Sequence, residues 1–244
     1  MSGHSKWETT RRQKAVVDAK RGAAFTKLAN LVAIAARGGS DPKMNPNLAM
    51  AVEKARQANM PAANIQRAID RAADKNAVAL EEVVYEAYGP GGVGLIIECA
   101  TDNKNRTLPE VKTALTKHGG QIADAGSVAF QFSRKGVLRL ELSEQPANFA
   151  NVDDLLLQVL DCGADDAEEN GGEITAYTDM KKLHEVREKL VAAGLKIADA
   201  GLEYVANSAV EISGEAAEKF ERLYDALDEL DDVQNIFTNA DVKE

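Results

Sequence analysis

LPEVKTALTKHGGQIADAG at residues 108–126 and LHEVREKLVAAGLKIADAG at residues 183–201 lie 75 positions apart and share ten of nineteen residues. Each begins with a segment of helical period, passes a glycine and ends in Ile-Ala-Asp-Ala-Gly, so each reads as one helix-turn-strand unit. Two copies imply two α+β domains on one theme. Around the later copy stand a strand at 137–142, a helix at 152–161 and two short β segments at 164–168 and 173–177. That order is β-α-β-β-α-β, the ferredoxin-like pattern. Around the earlier copy the spacing predicts a β run at 83–88, a glycine turn, a second run at 95–99, a helix at 106–117, a short strand near Ile122 and another strand at 128–132. A last amphipathic helix at 215–230 leads through Asp231-Asp232 into a strand at 233–237. It needs a sheet to join. Because the ferredoxin-like module is already complete, this unit is expected to return to the earlier domain and make it discontinuous.

Upstream the period is helical throughout. No proline interrupts 13–37, and Phe25, Leu28, Val32 and Ala35 follow one helical face. Gly38-Gly39 can supply a left-handed cap, and Ser40-Asp41-Pro42 cannot easily continue the helix. A second helix begins at Asn45-Pro46, with asparagine as cap and proline in the first turn, and turns Leu48, Ala51, Val52 and Ala55 inward. A third restarts after Met60-Pro61, with Ile65, Ala68 and Ile69 on one side and Arg67 and Arg71 on another. The expected fold class is α+β multidomain: a basic all-helical domain at 1–77, a discontinuous α+β domain at 78–133 plus 207–244, and a ferredoxin-like domain at 134–206.

The net charge of −10 hides a strong asymmetry. Residues 1–75 hold fourteen Lys or Arg against six Asp or Glu, a net of +8, which leaves −18 for residues 76–244. One end suits a polyanion and the other suits solvent or a basic partner. Apolar stretches are interrupted well before the roughly 20 residues a bilayer span requires, so no membrane partner is expected. The opening MSGHSKWETTRRQK has no apolar signal core, which points to the cytoplasm.

Chemistry has little raw material. Cys99, Cys162, His4, His118 and His184 are scattered, so neither a metal site nor a disulfide framework is expected. Gly89-Pro90-Gly91-Gly92-Val93-Gly94 matches the dinucleotide fingerprint letter for letter, yet Leu95-Ile96-Ile97 follows it instead of a helix. It reads as a hairpin turn, with no cofactor. No nucleophile elbow occurs, and the paired carboxylates lie in acidic surroundings, so no enzyme and no small-molecule substrate is expected. The basic set Lys6, Arg11, Arg12, Lys14, Lys20, Arg21, Lys27 and Arg37 is what phosphate contact needs, with Trp7 and His4 able to stack or to order the arm.

Several of these stretches are familiar together. Met1-Ser2-Gly3-His4-Ser5-Lys6-Trp7, Asp18-Ala19-Lys20-Arg21-Gly22, Ala36-Arg37-Gly38-Gly39 with Asp41-Pro42, Asn59-Met60-Pro61 with Asn64-Ile65, Tyr88-Gly89-Pro90, Asp102-Asn103-Lys104-Asn105-Arg106-Thr107 and Asp231-Asp232-Val233-Gln234-Asn235 resemble the YebC family over nearly the whole chain. The resemblance implies a helical domain followed by two α+β domains, in a transcriptional regulator that binds DNA. It also implies an alternative, since mitochondrial relatives look like translational activators and some bacterial relatives are linked to the ribosome and relief of stalling. The chain departs from the pattern at Ala23, where a basic residue is usual, and at Glu8-Thr9-Thr10. The expected function is non-enzymatic binding of nucleic acid, DNA first and ribosomal RNA as the alternative, through His4, Lys6, Trp7, Arg11, Arg12, Lys14, Lys20, Arg21, Lys27 and Arg37.

Overall fold

The computed structural model describes residues 21–74, 78–146 and 151–243, with the backbone alone at 21–23. Contacts divide them into two compact units, one of residues 132–207 and one of the described residues up to 131 together with 208–243.

The second of these units starts with three helices: α1 (Arg21–Ala36), α2 (Pro46–Gln57) and α3 (Ala62–Ala73). The expected helix at 13–37 lies outside the described residues before Arg21. Gly39 leaves α1 with φ 136°, a conformation that favours glycine. Asn45 caps α2 by accepting from the Leu48 N–H at 3.1 Å, and its amide donates to the carbonyls of Ala35 and Gly39 at 2.7 and 2.8 Å. One side chain therefore starts α2 and holds the end of α1. Val32, Ala33 and Ala36 close on Leu48, Ala51, Val52, Ala55, Met60, Ile65, Ala68 and Ile69, while Phe25, Leu28 and Ala35 pack at the margin of this core.

The same unit continues with β1 (Glu81–Tyr88), β2 (Gly94–Thr101), α4 (Lys104–Lys117) and β3 (Gln121–Ile122). Between β1 and β2 the glycine stretch makes a tight turn, with Gly91 and Gly92 at φ 77° and 79° and the Gly89 N–H donating to the Val93 carbonyl. A Cβ at Gly91 would sit 2.6 Å from Ile212 Cγ2, so glycine is required there for space as well as conformation. The chain comes back to this unit as β8 (Val210–Ile212), α7 (Gly214–Asp228), β9 (Val233–Thr238) and β10 (Ala240–Val242), where β4 to β7, α5 and α6 denote the intervening elements described next. The sheet order is β3-β1-β2-β9, all antiparallel, and β8 and β10 form a separate parallel pair that the sequence pattern does not announce. Phe220, Leu223 and Leu227 of α7 are fully buried.

The strand expected at 128–132 is absent; Ala129–Gln131 instead form a 3-10 turn, and the next strand begins at Phe132. The cause is Glu86, whose carboxylate accepts from the N–H groups of Gly126, Val128 and Ala129 at 2.6, 2.7 and 2.7 Å. Three converging donors curl the segment and leave Val128 fully buried. Burial alone would raise the Glu86 carboxyl, and these backbone donors hold it below its ordinary value instead.

The other unit runs β4 (Phe132–Glu141), α5 (Val152–Asp161), β5 (Asp166–Asn170), β6 (Glu173–Thr178), α6 (Leu183–Ala192) and β7 (Asp199–Ala206). Its antiparallel sheet has the order β5-β6-β4-β7, the ferredoxin-like arrangement. A Cβ at Gly136 would lie 2.9 Å from Leu183 of α6, so the even positions of β4 face the helices and the odd positions face away. The chain is thus an α+β multidomain protein.

The repeated unit is visible in both copies. Gly119 and Gly194 take left-handed φ values of 82° and 84°, and the following N–H groups of Gly120 and Leu195 return to Leu115 and Leu190. This is the Schellman closure of a helix C-terminus. The Ala123 and Ala198 N–H groups then donate at 2.8 Å to Glu86 of β1 and Arg139 of β4. Beyond that point the copies diverge: the first is turned by Glu86, and the second continues as β7.

Candidate nucleic-acid interface

The basic residues singled out in the sequence fall into two groups. His4, Lys6, Trp7, Arg11, Arg12, Lys14 and Lys20 lie outside the described residues, and Arg21 opens α1 with its backbone alone described. Lys27 and Arg37 are both engaged. The Lys27 ammonium donates to the Asp228 carboxylate and to the Asp228 carbonyl, each at 2.7 Å, tying α1 to the end of α7. A cation is favoured there, because the last carbonyls of a helix carry partial negative charge. Arg37 donates to the Leu80 carbonyl at 2.9 Å, and its residue remains exposed.

Lys43, Lys54, Arg56, Arg67 and Arg71 are exposed on the three-helix layer. Arg37 and Arg71 flank a shallow groove floored by Ala33, Ala72 and Leu80. Arg71 stands 3.8 Å from Asp102, and Arg106 reaches the same carboxylate at 3.3 Å. Lys104 pairs with Glu81 at 2.6 Å, and that hydrogen bond lowers the Glu81 carboxyl below its ordinary value.

Behind this row lies Asp232, 8% exposed. Arg106 donates to both its oxygens at 3.0 and 2.9 Å, and the Thr107 hydroxyl donates to Oδ2 at 2.6 Å while sitting 2.7 Å from Thr101 Oγ1. Burial would raise the Asp232 carboxyl; the hydrogen bonds of Thr107, Arg106 and Thr101 and the Arg106 charge outweigh it and hold the group below its ordinary value. The stretch 102–107 and Asp232, separate in the sequence, are therefore one network joining the start of α4 to the start of β9. Asp232→Asn should cost about 1.5–3 kcal/mol at pH 7, the range for hydrogen bonds to charged groups. Because the folded carboxyl titrates below its unfolded value of about 3.9, its contribution is complete above that value and is lost as pH falls through the folded one. The gap between wild type and variant should narrow as pH falls below about 4, which urea midpoints at a series of pH values would measure. A gap independent of pH would show that the charge is not what Asp232 supplies.

One sheet face of the ferredoxin-like unit is a poor match to nucleic acid. On the sheet face turned away from the helices, Tyr177 is 3% exposed and its hydroxyl donates to Glu168. Glu173, Asp199 and Glu203 surround the buried Arg139 on that face. Bases need exposed aromatic rings and a positive field, and this face supplies neither. Cys99 is equally inert, since burial in the first place and then Asp232 push its thiol up to about 12. No group of His, Cys, Asp and Glu that could hold a metal occurs among the described residues, and no described helix is long and apolar enough to cross a membrane.

Relatives share this architecture. The sequence pattern of the TACO1/YebC protein N-terminal domain matches residues 5–75, and that of the TACO1/YebC second and third domain matches residues 80–240. A protein of Corynebacterium urealyticum named a probable transcriptional regulatory protein is 46% identical over 247 aligned positions, covering 100% of this chain and 96% of its own. An Arthrobacter protein of the same name is also 46% identical, with the same coverage. Among solved structures, a conserved hypothetical protein of Aquifex aeolicus superposes with a TM-score of 0.86 at 39% identity, over 93% of each chain. On the strength of these matches along its whole length, the chain belongs to the TACO1/YebC family.

Proposed function

We propose that this protein is a non-enzymatic regulator of gene expression whose helical domain binds nucleic acid, with DNA as the target. The observation that carries the reading is the net charge of +8 over residues 1–75 against −18 over the rest, confined to one helical layer and the segment before it. A polyanion is drawn to one end of such a chain and repelled by the other. The names of the relatives, probable transcriptional regulatory proteins, point the same way.

His4, Lys6, Trp7, Arg11, Arg12, Lys14, Lys20 and Arg21 would supply the arm, with Arg37 beside them. Lys27 would have to release Asp228 to join. Crosslinking in growing cells, stringent purification and sequencing of the attached nucleic acid test the reading. Discrete promoter DNA is expected. Ribosomal RNA with no DNA enrichment would overturn it in favour of a ribosome-bound translation factor.

A further inference from the structure

We propose that α3 is the element that enters the major groove of duplex DNA, with Ala63, Gln66, Arg67 and Asp70 meeting base edges. This rests on the nucleic-acid reading above and deepens it from phosphate contact to base readout.

The first support is topological. α2 and α3 are joined by the short turn Ala58-Asn59-Met60-Pro61, the length found in helix-turn-helix units. Asn59 takes φ 60°, its N–H donates to Arg56 and the Met60 N–H to Ala55, and the Met60 side chain is 5% exposed within the helical core. The turn is therefore pinned from inside, and the start of α3 is set.

The second support is which face is left outside. Ile65, Ala68 and Ile69 point into the core. At about 100° per residue, Ala63, Arg67 and Asp70 then lie on the opposite side with Gln66 beside them, and all four are exposed. Ala62 and Ala63 carry no bulk at the first turn, so the backbone can come close to a groove floor. Arginine matches guanine, glutamine adenine and aspartate cytosine on their major-groove edges, and an alanine methyl can meet that of thymine. In helix-turn-helix proteins the N-terminal part of the second helix makes such contacts.

The third support is preorganisation and charge. Arg67 is steadied by the Asn64 side chain and the Ala63 carbonyl, and the Gln66 amide donates to Asp70 at 2.8 Å. Side chains already ordered lose less freedom on binding. Lys43 and Arg56 are exposed cations of the same unit, the charge type that phosphates attract. A-form RNA is a poor fit for this geometry, because its major groove is too deep and narrow for side chains to read.

The test is selection of duplexes from a random library by the full chain, followed by affinity measurements on the selected and singly altered sequences for wild type, Gln66→Ala and Arg67→Ala. Both side chains are exposed, so circular dichroism and melting should be unchanged. The expected result is a recovered consensus, with Arg67→Ala erasing the preference at one base pair by roughly 5- to 150-fold. Recovery of a consensus that both variants read as well as wild type does would overturn the role of α3 and leave DNA binding intact. Duplex binding without base preference, with Arg67→Ala lowering the salt slope by about one, would make α3 a phosphate contact and overturn the readout. Failure of wild type to bind any duplex would overturn this inference and the DNA reading together.

Discussion

Arg139→Met should lower the stability of the ferredoxin-like unit by about 3–5 kcal/mol, the cost of removing one partner from a buried charge cluster. The Arg139 side chain is 3% exposed. Its two terminal nitrogens donate to the Glu203 oxygens at 2.5 and 2.7 Å, Asp199 stands 3.8 Å away, and Glu173, 8% exposed, approaches Nε at 3.7 Å. That last distance is too long for a hydrogen bond, and Nε has no other partner, so the attraction to Glu173 is coulombic alone. The guanidinium sits among three carboxylates, and although burial opposes its charge, Glu203, Asp199 and Glu173 raise its pKa above the ordinary arginine value. Methionine keeps most of the volume and removes the guanidinium, leaving the Glu203 and Glu173 carboxylates beside an apolar side chain. Adding Glu203→Gln to the variant should recover part of the loss, because one carboxylate charge fewer then adjoins the methionine. Denaturant midpoints of the three proteins decide it. A loss below about 1 kcal/mol would mean that the sheet face relaxes enough for water to reach the carboxylates.

Raising salt from about 50 to 200 mM should weaken binding to duplex DNA by roughly 10³ or more if six or more phosphates are neutralised. The number follows from counterions: each cation that replaces a condensed counterion makes its release count toward affinity, and release is worth less as bulk salt rises. Residues 1–75 carry fourteen cations, enough to neutralise six phosphates even with Lys27 held by Asp228. Fluorescence anisotropy with one labelled duplex at several salt concentrations gives the slope directly. A nearly flat response would remove phosphate contact as the basis of binding, and with it the reading built on charge asymmetry.

Much of the fold could be read from local pattern. The caps at Asn45 and Gly39, the inward residues of α2 and α3 and the β-α-β-β-α-β order at 132–206 all depend on neighbours a few positions away. The 128–132 segment misled because alternation there suits a strand, while the Glu86 carboxylate that bends it comes from about 40 residues upstream. The parallel pairing of Val210–Ile212 with Ala240–Val242 left no signal, because strands of three residues are too short to show a period.

The candidate site divides along the same line. Charge, spacing and turn residues by themselves determined that one end of the chain is basic and helical, that two later segments repeat one unit, and that no metal or nucleophile motif is assembled locally. Only the tertiary structure decided that Lys27 is bound to Asp228, that Arg106, Thr107 and Asp232 form one network, and which face of α3 is left to solvent. The physical reason is reach. Helical period and capping act over three or four residues, whereas a carboxylate finds its partners by proximity in space, across 125 residues for Thr107 and 201 for Lys27.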